Sequence, residues 1–327
     1  MVNTAPLYLQ INGVNMLAQM NPTFIGFGSQ TRAWISNLRD SNIEAQVFLR
    51  KDSSSYELVS QKGFSLCEDL KSSKLIFLLI PDAEHLNFLQ TYKDQISQGA
   101  VIIVAHGASI TEHSLPELFP QWSFNLLAIK AIASEIRYQY EQKGKLGAVY
   151  CLSPNDLEGP KPSKELILKL SQALGVTAGP FEVTFEQEAR ADLFSEQSLL
   201  CGLLPYAAKQ SYDLLRSHDI PKELAFMECW LEVKLIADAM VKMGPEEFFK
   251  LISPHALVGS EFAQERIFDK EQQRIIEDMR HNIWNGDFFK EVQETDIEAV
   301  RTRVLQRWSS SEIQDTFNQL KKDLIPK

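Results

Sequence analysis

Asp192 and Glu196 stand four residues apart, and Glu228 and Glu232 repeat that spacing. Residues four apart share a helix face, so each pair would present hard oxygen donors side by side. One such pair is ordinary on a solvated surface. The surrounding residues argue otherwise. At about 100° per residue, with Glu188 at zero, Asp192 falls at about 40° and Glu196 at about 80°. Leu199, Phe185 with Leu203, and Leu200 fall at about 20°, 60° and 120° on the same wheel. With Leu224 at zero, Glu228 and Glu232 again fall at about 40° and 80°, among Leu235, Ala239 and Leu231. Acids inside an apolar stripe need cations or protons, because an unpaired buried carboxylate is costly. Two arrangements meet that need. One is a site for one or two Mg²⁺ ions that leaves positions open for an oxygen-rich substrate. The other is a set of buried ion pairs with Lys or Arg.

A second constellation lies near the start of the chain. Gly26-Phe27-Gly28-Ser29-Gln30-Thr31 follows an apolar run and opens a helix-length segment. Backbone amides at such a helix start can hold a pyrophosphate, although a plain turn has the same look. The next apolar run ends in Arg50, followed by Lys51, Asp52, Ser53, Ser54 and Ser55. A site for NAD would usually place an acid there; a guanidinium with hydroxyls suits a 2′-phosphate, and so NADP.

The elements that must position these groups divide the chain. Apolar runs at 23–27, 45–49, 74–79, 100–104, 123–128, 147–152 and 180–183 predict strands. Segments 29–41, 55–62, 84–96, 131–142 and 163–174 predict helices between them. That alternation predicts an α/β Rossmann-type domain over 1–183, with a parallel sheet covered on both faces. From 184 to 327 the β signal fades, and an all-helical domain is expected, broken at Pro205, at 219–221, at Gly244-Pro245 and at 253–259.

Composition limits the function classes. The 44% hydrophobic and 23% charged content is that of a globular protein. A formal charge of −10 without a long basic run argues against nucleic acid or an anionic membrane surface as partner. Cys67, Cys151, Cys201 and Cys229 are scattered, which excludes a zinc ribbon and fits a reducing cytoplasm. No apolar run approaches the ~20 residues of a membrane helix, and the amino terminus lacks the order of a signal peptide. A cytoplasmic protein with a small-molecule substrate is expected. Glycine is scarce, 15 in the 327 residues.

In this order and spacing, these residues resemble ketol-acid reductoisomerase in its short form, from about 24 to 259. The segments that carry the resemblance are 26–30 with Asn37-Leu38-Arg39-Asp40-Ser41, Leu79-Ile80-Pro81-Asp82 and Ala105-His106-Gly107. Asp192-Leu193-Phe194-Ser195-Glu196-Gln197 with Leu200-Cys201-Gly202, then Glu228-Cys229 and Glu232-Val233-Lys234-Leu235-Ile236, complete the set. The resemblance implies NADPH, two Mg²⁺ ions, a 2-acetohydroxy acid substrate, and a knotted helical domain that forms a homodimer. It also implies residue roles. Asp192 and Glu196, with Glu228 and Glu232 from the second subunit, would hold the metals. His106, Lys130 and Glu232 would be catalytic, and Ser253 would contact substrate. Gly26, Phe27, Gly28, Ser29, Gln30, Arg50, Ser53, Ser55, Asp82 and His85 would line the cofactor.

The pattern departs in three places. The usual Lys-Gly-Pro-Gly-His reads Lys130-Ala131-Ile132-Ala133-Ser134, the segment after Ser253 has drifted, and Thr31 replaces a third glycine. Methyl groups at 131 and 133 would narrow the approach to the ligands or extend the helix that follows. Intact metal ligands beside an altered lining favour a changed substrate, such as another 2-keto acid, over lost metal binding. A non-catalytic NADP-binding homologue is the remaining alternative.

Overall fold

The computed structural model describes residues 13–154 and 162–324. Packing divides the chain after Ala189 into two compact units. The boundary expected at 183/184 lies between the last strand and helix α9 (Phe185–Ser195), whereas the division by packing falls inside that helix.

The first unit is built on one eight-stranded sheet: β1 (Thr23–Ile25), β2 (Gln46–Phe48), β3 (Ser65–Leu66), β4 (Leu75–Leu78), β5 (Val101–Val104), β6 (Ser123–Ile129), β7 (Gly147–Cys151) and β8 (Ala178–Glu182). Their spatial order is β3-β2-β1-β4-β5-β6-β7-β8. Strands β1 to β6 run parallel, as expected of apolar runs buried on both faces. One expectation is corrected: β7 pairs antiparallel with β6, and β8 lies parallel to β7, so the sheet is mixed. The short β3 was not anticipated. Its two residues are exposed and leave no apolar run to read.

Alternation along each strand feeds two cores. Leu75 and Phe77 enter a cluster with Phe24, Trp34 and Leu127, while Ile76 and Leu78 enter another with Phe48, Ile102 and Leu126. Phe24 and Phe77 stack with ring centroids 4.2 Å apart. Helix α2 (Ser29–Asp40) follows β1 and packs with α7 (Ala133–Glu141). The Asn37-to-Ser41 signature is explained by structure. Buried Asn37 donates to Leu174 O and accepts from Arg137, Arg137 pairs with Asp40, and Ser41 Oγ donates to Ala173 O.

The second unit is helical: α10 (Leu203–Ser217), α11 (Lys222–Phe226), α12 (Glu232–Met243), α13 (Pro245–Leu251), α14 (Pro254–Ile267), α15 (Lys270–Trp284), α16 (Asp287–Glu294), α17 (Ile297–Ser309) and α18 (Glu312–Leu324). The breaks at 219–221 and at Gly244-Pro245 are present. Pro205 does not break a helix: it lies in the first turn of α10, where a missing N–H costs nothing. Gly259 lies inside α14, so the break there is confined to Ile252 and Ser253. Two π-helical turns, Glu196–Leu200 and Met227–Leu231, went unread. Each inserts extra backbone beside the expected metal ligands, as such turns do at functional sites. Beyond them, angles counted at a constant step no longer hold. Glu196, Glu228 and Glu232 are exposed in the single chain, together with Leu199, Leu200 and Leu235, so the apolar stripe that carries them is left uncovered by the described residues of this chain.

Candidate active site

The carboxyl ends of β1, β2 and β4 frame a cleft of about 440 Å³. Gly26, Arg50, Ser53, Pro81, Glu84 and Asn87 are among its lining residues. Gly26 has φ +77°, and a Cβ there would stand 2.8 Å from Ile80 Cγ2, so the turn out of β1 requires glycine twice over. At Gly28 a Cβ would meet nothing within 4 Å. Protein packing does not demand that glycine, whereas a phosphate seated against the backbone amides would. Ser53 Oγ accepts from the Ser55 N–H, and the exposed Arg50 reaches Asp52 only at 4.0 Å. These residues fit a nucleotide with a phosphate at its ribose. Thr31, the departure from a third glycine, is wholly buried and is not part of the cleft lining.

The next group joins four chain segments within the first unit. Asp82 follows β4, His106 follows β5, Lys130 follows β6, and Glu188 lies in the first turn of α9. Glu188 is 3% exposed. Its Oε2 accepts from the Gly107 N–H at 2.7 Å, and its Oε1 pairs with Lys130 Nζ at 2.5 Å. The ammonium is thus fixed at the end of β6 by a buried carboxylate. His106 Nδ1 lies 3.5 Å from Asp82 Oδ2, and the Ser109 N–H donates to Asp82 Oδ1 at 3.2 Å. Burial alone would push the Asp82 carboxyl up. The His106 hydrogen bond, the fields of His85 and His106, and the Ser109 N–H outweigh it and hold it below the usual range.

His85, expected among the cofactor contacts, has a different place. It is buried, its Nδ1 bonds Ser109 Oγ at 2.6 Å, and its Nε2 bonds Ile80 O at 2.9 Å. With both ring nitrogens engaged it braces the Asp82 turn from behind. Burial, partly opposed by Asp82, lowers its affinity for a proton.

Gly107 explains how α9 reaches the sheet. A Cβ there would lie 2.2 Å from Phe185 O, so only glycine allows the helix start to approach. Gly107→Ala should displace α9 and cost about 1–3 kcal/mol, as overpacking does. Chemical denaturation checks this; an unchanged midpoint contradicts the close approach.

Glu188 itself was missed as a functional residue, although it stands one turn before Asp192 on the same helix. Further along, Glu196 opens the π-helical turn, and its carbonyl oxygen accepts from the Cys201 and Gly202 N–H groups at 2.9 and 3.1 Å. A Cβ on Gly202 would fall 1.9 Å from Gln197 O, so the turn needs that glycine. Burial first, then the charges of Glu196 and Asp192, raise the Cys201 thiol, which keeps it protonated and unreactive. Glu228 lies within the second π-helical turn and Glu232 opens α12 directly after it. Hard carboxylate oxygens one turn apart are a donor set that suits Mg²⁺. Ser253 Oγ accepts from the Ala256 N–H and caps α14. Ala131 and Ala133 pack against the first unit's core, α7 starts at Ala133, and Ile132 between them is 74% exposed.

Two family models match in tandem: the acetohydroxy acid isomeroreductase NADPH-binding domain over residues 16–179, and the ketol-acid reductoisomerase C-terminal domain over 185–325. The chain belongs to the ketol-acid reductoisomerase family. It is 31% identical over 288 residues to ketol-acid reductoisomerase (NADP(+)) of Sulfurimonas denitrificans, spanning 85% of this chain and 82% of that protein. The enzyme of the same name from Clostridioides difficile is 28% identical over 284 residues, 85% and 84% of the two chains. A solved structure of an NADH-preferring ketol-acid reductoisomerase from an uncultured archean shares the fold, with a TM-score of 0.83 at 22% identity over 96% of this chain and 97% of that one. The Rossmann-type sheet and helical second unit are therefore those of the family.

Proposed function

We propose that this protein is a ketol-acid reductoisomerase that converts a 2-acetohydroxy acid to a 2,3-dihydroxy acid with NADPH and Mg²⁺. The observation that carries the reading is the clamp on Glu188. It fixes the Lys130 ammonium and the Gly107 N–H at the start of the helix that goes on to present Asp192 and Glu196. When bound, the metals would supply the Lewis acid for alkyl migration and the nicotinamide the hydride for reduction.

The chain's own residues do the rest. The amides after Gly26 and Gly28 receive the pyrophosphate, while Arg50, Ser53 and Ser55 receive the 2′-phosphate. Glu188 holds the Lys130 ammonium beside the Gly107 N–H, where it can meet a substrate oxygen. Asp82 holds His106 in one orientation, and Ser253 and Glu232 complete the substrate side. Asp192, Glu196, Glu228 and Glu232 would hold the metals. Metal-loaded protein mixed with NADPH and 2-acetolactate should oxidise NADPH; folded protein without turnover on this substrate overturns the reading.

A homodimer is part of the proposal. Helix α12 has no buried residue, although Leu235, Ile236, Met240 and Val241 line it and Val241 is 88% exposed. An apolar helix surface of this extent calls for a covering partner. Glu232 opens this same helix, and Glu228 lies in the π-helical turn just before it. No helix among the described residues is long and apolar enough to cross a membrane. Four free cysteines suit a reducing cytoplasm.

Cofactor preference rests on Arg50. Losing one charged contact to the 2′-phosphate costs about 1.5–3 kcal/mol, so Arg50→Ala should raise the KM for NADPH roughly ten- to a hundredfold. The KM for NADH should stay unchanged. Steady-state kinetics with both cofactors checks this, and parallel loss of both contradicts the assignment. A changed substrate remains the second reading, favoured by the exposed Ile132 beside Lys130. Turnover of another 2-keto acid faster than 2-acetolactate in a panel would select it.

A further inference from the structure

Behind the Asp82–His106 pair lie two buried residues, His85 and Ser109, with 2% and 0% exposure. His85 opens α4 (His85–Tyr92), and Ser109 is the second residue of α5 (Ala108–His113). The directions of their hydrogen bonds follow from the partners. The Ile80 carbonyl oxygen only accepts, so the ring proton of His85 sits on Nε2, 2.9 Å away. A neutral imidazole has no second proton. Its Nδ1 therefore accepts, and the Ser109 hydroxyl donates to it across 2.6 Å. Burial favours that neutral ring. The Ser109 backbone N–H donates to Asp82 Oδ1 at 3.2 Å, and Asp82 Oδ2 faces His106 Nδ1 at 3.5 Å.

These bonds close the turn that carries Asp82. The His85 ring ties residue 85 back to residue 80, so the chain between them is held at both ends. Through Ser109 the same ring ties this turn to the helix after β5. Asp82 thus has a fixed donor on one oxygen and presents the other to His106. A carboxylate on an untied turn would sample several rotamers; here the bonds select one.

We propose that His85 and Ser109 are positioning residues that act through Asp82 on His106, with His85 as the neutral, Nε2-protonated tautomer and not as a cofactor contact. The inference rests on the reductoisomerase reading for its meaning. Neither residue lines the nucleotide cleft, although Ile80, Pro81 and Glu84 beside them do. The pair therefore serves the reacting groups rather than the affinity for NADPH. A misplacement of about 1 Å at a reacting group costs up to about 10²-fold in rate.

The kinetic experiment compares two replacements of His85. His85→Leu removes both ring bonds and should lower kcat roughly 10- to 100-fold, with the KM for NADPH within about threefold. His85→Gln offers an amide N–H to Ile80 and an amide oxygen to Ser109, and should keep kcat within about threefold. Ser109→Ala, which retains the N–H to Asp82, should lower kcat and add little to His85→Leu, as for residues that act as one unit. A KM for NADPH raised beyond about threefold in His85→Leu makes the ring part of the cofactor cleft and overturns the proposal. Equal kcat in His85→Gln and His85→Leu overturns it too. Should His85→Leu not fold, Ser109→Ala decides, because an unchanged kcat overturns it. A substrate-free measurement is ¹⁵N NMR of histidine-labelled wild type at pH 7, with His85 assigned from the His85→Gln spectrum. The expected ring carries its proton on Nε2 alone; a proton on Nδ1 overturns the assignment. Absence of turnover with 2-acetolactate would count against the function alone, since the tautomer needs no substrate.

Discussion

Mixing an inactive Asp192→Asn variant with an inactive Glu232→Gln variant, followed by subunit exchange, is expected to restore activity. Asp192 belongs to α9 and Glu232 to α12. If each site takes Asp192 and Glu196 from one copy and Glu228 and Glu232 from the other, a heterodimer contains one site with both substitutions and one intact site. Random exchange yields half heterodimers, so activity should return to about a quarter of wild type, as a two-fold dimer with shared sites demands. Each variant alone should lose about 10³-fold or more, because a missing carboxylate removes charge that a divalent ion requires. The measurement is NADPH oxidation with Mg²⁺ before and after exchange. No recovery in a mixture shown to contain heterodimers would place all four acids in one subunit. Chelation of Mg²⁺ should abolish the wild-type rate and leave NADPH binding intact.

The second large effect is expected at Glu188. In Glu188→Gln the amide oxygen can still accept from Gly107, but the Lys130 ammonium loses its counter-charge. Charge stabilisation and proton transfer by a positioned group each contribute about 10²–10⁴-fold, so kcat should fall by at least about 10²-fold. The KM for NADPH should stay within about twofold, because no cofactor contact is touched. Glu188→Ala should be worse in a different way. It leaves the buried Gly107 N–H without an acceptor, a further cost of about 1–3 kcal/mol in stability. Lys130 is 39% exposed, so water screens the ion pair and its loss adds little to that cost. Combining Glu188→Gln with Lys130→Met should reduce kcat hardly more than either alone, as for residues that act as one unit. Full additivity would separate their roles.

Much of this architecture was legible in the residue order. Apolar runs bounded by polar segments located seven of the eight strands to within two residues at either end, because burial on both faces demands unbroken hydrophobicity. The glycines after β1 and the charged end of β2 marked the nucleotide cleft, because a backbone that must approach a phosphate tolerates little else. The carboxylates at 192, 196, 228 and 232 stood out because each pair, four apart, fell inside an apolar stripe.

What stayed hidden has physical causes. A strand of apolar residues carries no mark of its direction, so the antiparallel β7 appeared only when its partners were known. A constant helical step cannot foresee a π-helical turn, since the extra residue is stabilised by what packs around it. Glu196, Glu228 and Glu232 came out exposed because the apolar residues beside them, Leu199, Leu200 and Leu235, are themselves uncovered in the single chain. The role of Glu188 was out of reach for another reason. Its partners Lys130 and Gly107 stand 58 and 81 residues away, and local spacing cannot register them. Sequence by itself determined the family, the sheet-then-helix order and the candidate ligands, because each is set by residue type and near-neighbour spacing. Only the tertiary structure decided which charge faces which: Glu188 on Lys130 and Asp82 on His106. Those pairings depend on segments brought together by the sheet.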